Sequence, residues 1–378
     1  MAIKFQPSLK FLRRLFSFHP KRYSTLTLFP FTTASTPRHV PNPKPNAKTK
    51  TFSHIYQECA ANSSLNPGKQ AHGWMIVSGF SPTVFVSNCL VQLYVKCRHL
   101  EYALKVFERM PQRDVVSHNA LIFGYAGCGE MGFAKRVFDG MLVRDIVSWN
   151  SMISGFLQNG KSAEVFGFFV EMGREGVGFD QSTFAVVLKL CAGMEDRAIG
   201  VQVHGVVVRL GFCHDVVAGS ALVDMYAKCK RMDESIQVFF EMPEKNWVSW
   251  SALIAGCVQN DLYEESIEFF KEMQRMGVGV SQSVYATIFR ACAGLLALRI
   301  GNQLHCHAIK SDLQYDVIVG TATLDMYAKC GSISDADKVF NSLPKHNLQS
   351  FNAIVTGYVR SNQGSEAWRL FRLLLRSG

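Results

Sequence analysis

The chain contains 378 residues, of which 48% are hydrophobic, and carries a formal net charge of +10 at pH 7. No stretch of the sequence approaches the ~18 consecutive apolar residues of a membrane-spanning helix, so no membrane partner is expected. The first fifty residues hold ten Lys or Arg and no acidic residue, whereas residues 51–378 carry thirty basic and thirty acidic side chains. The composition therefore excludes a generally basic nucleic-acid-binding body, and any affinity for nucleic acid must depend on local arrangement.

Residues 1–48 have the composition of a targeting segment followed by a linker. The segment is rich in Ser and Thr and places apolar side chains beside Arg13 and Arg14, and a Pro-rich tract follows at residues 37–45. This composition is typical of an organellar transit peptide. The basic stretch at residues 21–24 favours the mitochondrion, with the chloroplast as the alternative. A disordered basic tail is the other interpretation.

From residue 49 onwards the sequence repeats itself. The segment MYAKC occurs at residues 225–229 and 326–330, and Trp149, Trp250 and Phe351 are each 101 positions apart. This period divides into repeats of 35, 35 and 31 residues. We divide the chain into ten repeats, the last of them cut short, at 49–83, 84–114, 115–145, 146–180, 181–215, 216–246, 247–281, 282–316, 317–347 and 348–378.

Each repeat carries two helical patterns. In repeat 247–281 one apolar stripe begins at Trp250, a polar break follows at residues 259–261, and Ile267, Phe270 and Met273 form a second stripe. Glycines predicted at the turn between the helices are Gly129, Gly160 and Gly331, and prolines predicted to stop the second helix are Pro111, Pro243 and Pro344. A single helix pair cannot bury both of its faces, so neighbouring pairs must stack into an all-α superhelix with an exposed groove.

The repeat texts resemble those of the pentatricopeptide repeat (PPR) family over residues 49–378. The matching phrases are VSWNSMISGFLQNG, ALVDMYAKC, RVFDGM and FFKEMQRMGV, and the 35-35-31 alternation is similar to the plant PLS subclass. The resemblance implies a right-handed superhelical solenoid of helix-turn-helix repeats. It also implies that single-stranded organellar RNA is bound in the groove, one nucleotide per repeat, and that the bound site is selected for C-to-U editing.

In this family two residues of each repeat select the base: the fifth residue and the last. Carried over repeat by repeat, the predicted base-reading pairs are Asn88 with Asp114, Asn119 with Asp145, Asn150 with Asp180, Ser220 with Asn246, Ser251 with Ser281, and Thr321 with Asn347; Asn352 stands without a last residue. The pair Ser251 and Ser281 departs from the family's usual combinations. Repeats 49–83, 181–215 and 282–316 carry Ser53, Ala185 and Ala286 at the fifth position and are expected to read poorly.

The chemistry of these residues suits base recognition. An Asn amide both donates and accepts, so it can match the edge of a pyrimidine, whereas a hydroxyl with an amide suits a purine. By the resemblance, Asn with Asp reads U, and Ser or Thr with Asn reads A, which predicts U-U-U-x-A-x-x-A-pyrimidine from 5′ to 3′ along the chain. A single Asn or Ser near a helix start is more often an N-cap. Repetition at matching phase favours base reading.

The second residue of several repeats is apolar and could stack on a splayed base. Stacking of this kind tolerates any base and adds affinity. The predicted stacking residues are Phe85, Val116, Val147, Val217, Val248 and Ile318.

Several fragments look like catalytic or metal sites but have simpler interpretations. Residues 99–101 match the H-x-E element of zinc deaminases, yet no P-C-x-x-C element follows. The ligand-like cluster at residues 305–307 corresponds to His204-Gly205-Val206 in a sibling repeat, so its recurring His is a packing or turn residue. Eleven cysteines without a C-x-x-C pair indicate reduced, buried thiols. We therefore expect no enzyme activity, cofactor, metal or small-molecule substrate.

Two other functions compete with editing-site recognition. An RNA stabilisation or splicing factor would bind RNA by the same contacts. A peptide-binding scaffold like the tetratricopeptide repeats would have repeats near 34 residues without alternating length. The sequence stops inside its last repeat, leaving Leu370, Phe371, Leu373, Leu374 and Leu375 without a polar cap, so we expect a truncated gene product. Editing catalysis would come from the missing C-terminal part or, if the chain is complete, from a deaminase acting in trans.

Overall fold

The computed structural model describes residues 47–313 and 315–377. All but the last two residues of the predicted transit peptide lie outside the described residues. The chain divides into two compact bodies, here called the N-terminal body (residues 1–179) and the C-terminal body (residues 180–378). We describe each body by itself.

The described part of the N-terminal body consists of eight α-helices, two for each of the first four repeats. The first helices of these repeats are α1 (Ala47–Ala61), α3 (Val84–Lys96), α5 (Val115–Gly127) and α7 (Ile146–Gln158). The second helices are α2 (Leu65–Val77), α4 (Leu100–Arg109), α6 (Met131–Asp139) and α8 (Ser162–Arg174).

The described part of the C-terminal body continues the pattern with twelve α-helices. Its first helices are α9 (Gln181–Met194), α11 (Val216–Lys228), α13 (Trp247–Gln259), α15 (Gln282–Gly294), α17 (Val317–Lys329) and α19 (Leu348–Arg360). Its second helices are α10 (Arg197–Arg209), α12 (Met232–Glu241), α14 (Tyr263–Arg275), α16 (Leu298–Lys310), α18 (Ile333–Ser342) and α20 (Gly364–Ser377), with a short 3₁₀ turn at Phe212–His214.

From α3 onwards, and with the exception of α15, the first helices start where the last residue of the preceding repeat caps them. Asp145 accepts a hydrogen bond from the backbone N–H of Ser148 at 2.8 Å, and Asn347 accepts one from Ser350 N–H at 2.7 Å. Such caps satisfy backbone donors that a helix start leaves unpaired. The turns to the second helices need positive φ, and Gly129, Gly160 and Gly331 supply it at +85°, +69° and +80°, as predicted.

Within each body, every first helix packs against the second helix of its own repeat and against the first helix of the next. Trp149 is fully buried, with its ring 4.9 Å from that of Phe138 and 5.7 Å from that of Phe168. Adjacent first helices approach closely where a glycine leaves room. A Cβ built on Gly155 would lie only 2.7 Å from the Cβ of Ala126. Gly357 faces Ala328 in the same way, at 2.9 Å.

These observations confirm the predicted all-α fold of stacked helix pairs. The residues that the structure describes contain helices and turns, with no strand among them. In that part of the chain, no helix combines the length and the apolar character needed to cross a membrane.

Candidate nucleic-acid interface

The first helices of the N-terminal body line a cavity of about 710 Å³, here called the N-terminal groove. The cavity is lined by second, fifth and last residues of adjacent repeats, together with residues near the ends of the first helices. Its wall includes Val116, Asn119, Phe123, Asp145 and Val147, with Gln92, Lys96 and Ser151 beside them. The second, fifth and last positions of the repeat, which are predicted to contact a base, therefore meet on one surface.

Asn119 and Asp145 form a hydrogen-bonded pair in this groove. The amide Nδ2 of Asn119 donates to Asp145 Oδ1 at 3.3 Å. The amide oxygen Oδ1 of Asn119 is buried and has no hydrogen-bond partner. An unpaired buried acceptor costs about 1–3 kcal/mol, so a donor that enters the groove would relieve that cost. The pair thus leaves an acceptor for an incoming N–H group.

Asp145 carries out two tasks with one carboxylate oxygen. Its Oδ1 caps α7 and also receives Asn119 Nδ2 and the hydroxyl of Ser148, the latter at 2.7 Å. Burial raises the pKa of this carboxyl, but the hydrogen bonds from Ser148 and Asn119 together outweigh burial and lower the pKa below its ordinary value. The ionised carboxylate is therefore favoured, and it accepts the amide hydrogen of Asn119.

Asn88, the same residue type in the preceding repeat, has a different environment. Its side chain is only 6% exposed. Its Nδ2 donates to both carboxylate oxygens of Asp114 at 3.0 and 3.3 Å, and its Oδ1 accepts the hydroxyl of Ser117 at 2.6 Å. Both ends of the Asn88 amide are therefore engaged within the protein.

The third predicted pair divides between the two bodies. Asn150 is half-buried on α7, in the N-terminal body. Asp180 begins the C-terminal body, where it caps α9 by accepting Thr183 N–H at 2.8 Å and Thr183 Oγ1 at 2.9 Å.

The first helices of the C-terminal body line a second cavity of about 490 Å³, here called the C-terminal groove. Its wall brings together Thr321, Asn347 and Asn352 with the second-position residues Ile318 and Gln349; Arg290, Asp325 and Lys329 lie beside them. The hydroxyl of Thr321 is buried and, like the amide oxygen of Asn119, has no hydrogen-bond partner. This groove therefore repeats the arrangement of the N-terminal groove with a hydroxyl in place of the amide.

Two other fifth-position hydroxyls are already used by their own helices. Ser220 is buried and donates to the backbone carbonyl of Val216 at 2.7 Å. Ser251 donates to the carbonyl of Trp247 at 2.6 Å. The hydroxyl of Ser281 lies 2.9 Å from that of Ser283 and makes no capping bond to α15. Asn246, in contrast, caps α13 through its Oδ1.

The predicted stacking residues all have open faces. Phe85, Val116, Val147, Val217, Val248 and Ile318 are between 40% and 60% exposed. Apolar side chains at the start of a helix could have packed inward, and these do not. Val116 and Val147 lie on the wall of the N-terminal groove on neighbouring helices, with Asn119 on the same wall.

Sequence reasoning missed the cations of the grooves. Lys96 lines the N-terminal groove and lies 5.5 Å from the ring of Phe123. Lys329 lines the C-terminal groove and forms an ion pair with Asp325 at 2.7 Å. Both are the Lys of the recurring LYVKC and MYAKC segments. That recurrence was the available signal, but it was used only to find the period.

The histidines set aside as packing residues have a specific partner. His72, His204 and His305 each pair through Nδ1 with a tyrosine hydroxyl 22 residues later, at 2.8, 2.8 and 3.0 Å: Tyr94, Tyr226 and Tyr327. Burial lowers the pKa of each of the three histidines below its ordinary value of 6.5, which favours the neutral ring. The packing interpretation is consistent with this geometry.

The cysteines only partly match expectation. All eleven are free thiols. Cys59, Cys89, Cys191, Cys257 and Cys292 are buried, but Cys97, Cys229 and Cys330 end their helices in half-buried positions, and Cys128 and Cys306 are exposed. The prediction of buried thiols is thus wrong for those at helix ends and for Cys306, which is exposed within α16. No cluster of three or more potential metal ligands occurs among the residues that the structure describes.

Comparison with protein families gives repeated matches. The model of the PPR repeat matches residues 85–115, 116–146, 220–247, 248–278, 321–348 and 349–378, and that of a PPR repeat family matches residues 144–193.

Two relatives from Arabidopsis thaliana illustrate the similarity. One mitochondrial pentatricopeptide repeat-containing protein is 57% identical over 333 residues, which cover 88% of this chain and 37% of that protein. A second one, also mitochondrial by name and termed putative, is 31% identical over 323 residues, or 85% of this chain and 46% of the relative. The chain spans less than half the length of these relatives. Their names confirm the predicted mitochondrial location.

A solved structure shares the fold. The chain is similar to the maize protein PPR10 in its complex with an 18-nucleotide psaJ RNA element, with a TM-score of 0.71 and 16% identity over 87% of this chain and 50% of that one. At this identity the likeness shows the fold alone. The seven matched segments extend over more than half of the sequence, and they assign the chain: it belongs to the pentatricopeptide repeat family.

Proposed function

We propose that this chain binds single-stranded RNA in the mitochondrion, selecting one base per repeat, and recognises sites for C-to-U editing. The observation that supports the proposal is the convergence of second, fifth and last residues on one groove in each body. PPR10, which shares the fold, was solved in complex with an RNA element. The alternating repeat lengths favour the PLS subclass and hence editing.

In the N-terminal groove the fitting base is uracil. Asp145 holds the amide hydrogen of Asn119, so the free group is the acceptor Oδ1. Uracil offers an N3–H donor at the matching position, whereas the N3 of cytosine is an acceptor and would face another acceptor. Val116 and Val147 supply apolar surface on both neighbouring helices for the faces of the base.

In the C-terminal groove the fitting base is adenine. The Oδ1 of Asn347 is occupied by Ser350 N–H, which leaves its Nδ2 as a donor for adenine N1. The unpaired hydroxyl of Thr321 can accept from the adenine N6 amino group. A guanine presents an N1–H donor instead, which would face the Nδ2 donor of Asn347.

Phosphates would be held by the cations that line the grooves. Base edges supply specificity, and phosphate contacts supply position and salt-dependent affinity. Lys96 and Lys329 stand at the same position of their repeats and are candidates for these contacts. The body has no excess of basic residues to bind RNA nonspecifically. We propose that the chain supplies recognition and that a deaminase acting in trans supplies catalysis.

Binding of fluorescent nine-nucleotide RNAs to the full chain tests the proposal. The predicted sequence U-U-U-C-A-C-C-A-C should bind more tightly than a version in which the three uridines are scrambled into the unread positions. Each mismatch at a read position should cost about 1–3 kcal/mol if base-edge energetics from other complexes apply. Equal affinity for both RNAs would contradict sequence-specific binding. Changed transcript ends or retained introns with intact editing in a loss-of-function line would instead indicate stabilisation or splicing.

A further inference from the structure

Two repeats of the N-terminal body carry the same reading pair, Asn with Asp, but not the same local geometry. A rule based on the fifth and last residues assigns equal uridine preference to Asn88 and Asn119. In the structure the amide oxygen of Asn88 accepts a hydrogen bond at 2.6 Å, whereas that of Asn119 has no partner. The difference therefore arises from a residue outside the reading pair.

That residue is the third of the following repeat. Ser117 Oγ lies 2.6 Å from Asn88 Oδ1 and 2.7 Å from Asp114 Oδ1. Its counterpart Ser148 lies 2.7 Å from Asp145 Oδ1 and makes no hydrogen bond to Asn119 Oδ1, which is unpaired. The sequence places a serine at both positions, and only the first covers the acceptor of the reading amide.

We propose that Ser117 is a positioning residue that withholds Asn88 from its base, so that repeat 84–114 discriminates weakly and repeat 115–145 strongly. This inference rests on the proposed function. The 6% exposure of Asn88 leaves little open surface for a second donor at the same oxygen.

The arrangement gives RNA recognition a third determinant in each repeat. The last residue orients the fifth, and the third residue of the next repeat decides whether the acceptor of the fifth is already paired within the protein. In this chain the third position is Ser117, Ser148, Thr183, Ser249 or Ser350 in some repeats and Val86, Val284 or Val319 in others. A hydroxyl at the third position can pair with the reading amide of the preceding repeat and so withhold it from a base. A valine at that position cannot.

The experiment compares two substitutions of equal shape, Ser117→Val and Ser117→Thr. Valine lacks the hydroxyl, and valine already stands at the third position of other repeats. Threonine keeps it, and Thr183 shows that a threonine hydroxyl at this position can donate to the last residue of the preceding repeat, to Asp180 Oδ1 at 2.9 Å. Ser148→Val is the matched control next to the repeat whose reading amide has an unpaired acceptor. The readout is the affinity ratio between RNAs with U or C at the first or second nucleotide, measured on one preparation of the full chain.

For the wild type and Ser117→Thr we expect a clear U-over-C ratio at the second nucleotide and a ratio near one at the first. For Ser117→Val the ratio at the first nucleotide should rise about 5- to 10-fold, the order of one base-edge contact. Ser148→Val removes a bond to Asp145 and none to Asn119 Oδ1, so it should not raise the ratio at the second nucleotide. Equal ratios at both nucleotides in the wild type, or no rise in Ser117→Val, overturn this inference while leaving RNA reading intact. A ratio of one at both nucleotides in every variant overturns the proposed function itself.

Discussion

The N-terminal and C-terminal grooves each present one fifth-position side chain with a buried, unpaired polar atom, but the partner that orients it differs. Asn119 is held by the carboxylate of Asp145, and Thr321 lies on one wall with the amide of Asn347. Both partners also cap the next first helix. Capping uses an acceptor oxygen of each partner, and the group left over differs between the two. Asp145 has further lone pairs, which receive the Asn119 amide, whereas Asn347 keeps its Nδ2 donor, which can face the RNA.

The comparison shows that helix stability and base choice depend on the same atoms. N-capping alone is the ordinary reason for an Asp or Asn at a helix start, and the structure shows that these residues do cap. The cap fixes the orientation of the side chain, and this in turn fixes which group of the fifth residue stays unpaired. A substitution that breaks the cap should therefore lower stability, whereas one that alters only the group left unpaired should change base preference alone.

The largest expected effect comes from disturbing the close contact between α5 and α7, two helices that line the N-terminal groove. Gly155→Ala would place a Cβ 2.7 Å from that of Ala126 and force α5 and α7 apart, at a cost of about 1–3 kcal/mol in the free energy of unfolding. Discrimination at the second nucleotide should fall, while that at the eighth should hold. Gly167→Ala on α8 is the control, because no atom lies within 4 Å and alanine favours the helix by about 0.5–1 kcal/mol. Urea unfolding should give a lower free energy of unfolding for Gly155→Ala than for Gly167→Ala. Equal values for the two variants would contradict the close packing of α5 against α7.

The next effect separates capping from orientation at Asp145. Asp145→Asn should keep the cap, as Asn246 and Asn347 do in other repeats, so the midpoint of unfolding should barely change. The oxygen that caps α7 also receives Asn119 Nδ2, so asparagine keeps this acceptor but loses its negative charge, and the U-over-C ratio at the second nucleotide should fall by less than the tenfold expected for a lost contact. Asp145→Ala should lose both the cap of α7 and the contact with Asn119, and should lower the free energy of unfolding by about 1 kcal/mol. If Asp145→Asn keeps the full ratio, the carboxylate does not orient the amide.

A smaller effect is expected in the C-terminal groove. Thr321→Val removes a buried hydroxyl that has no partner, so stability should stay level or rise slightly. The preference for adenine at the eighth nucleotide should fall by up to about tenfold. Thr323→Val is the control on the same helix: it breaks a bond of 2.8 Å to the carbonyl of Val319 and should leave base preference unchanged. Loss of preference in both variants would indicate a general disturbance of α17.

Particular residues show which parts of the fold and of the site could be predicted from the sequence. Helix pairs were predictable because the apolar stripe beginning at Trp250 recurs at fixed phase through ten repeats. The His–Tyr pairs were also within reach, since a separation of 22 residues occurs three times, as in His204 and Tyr226. The contrast between Asn88 and Asn119 was not, because Ser117 and Ser148 are identical in sequence and differ only in which oxygen the hydroxyl reaches. Distances of this kind depend on how neighbouring helices settle, which no local pattern encodes.

The smallest effect concerns the cations and distinguishes the grooves by charge alone. In the part of the chain that the structure describes, no carboxylate pairs with Lys96, whereas Lys329 is held by Asp325 at 2.7 Å. Lys96→Ala should weaken every RNA alike and reduce the slope of log affinity against log salt by about 0.7, the value for one phosphate contact on a single strand. Lys329→Ala should do less, since Asp325 already neutralises that charge. Lys135→Ala, on α6 and paired with Asp139, should leave the slope unchanged. Equal slopes for Lys96→Ala and Lys135→Ala would mean that Lys96 contacts no phosphate.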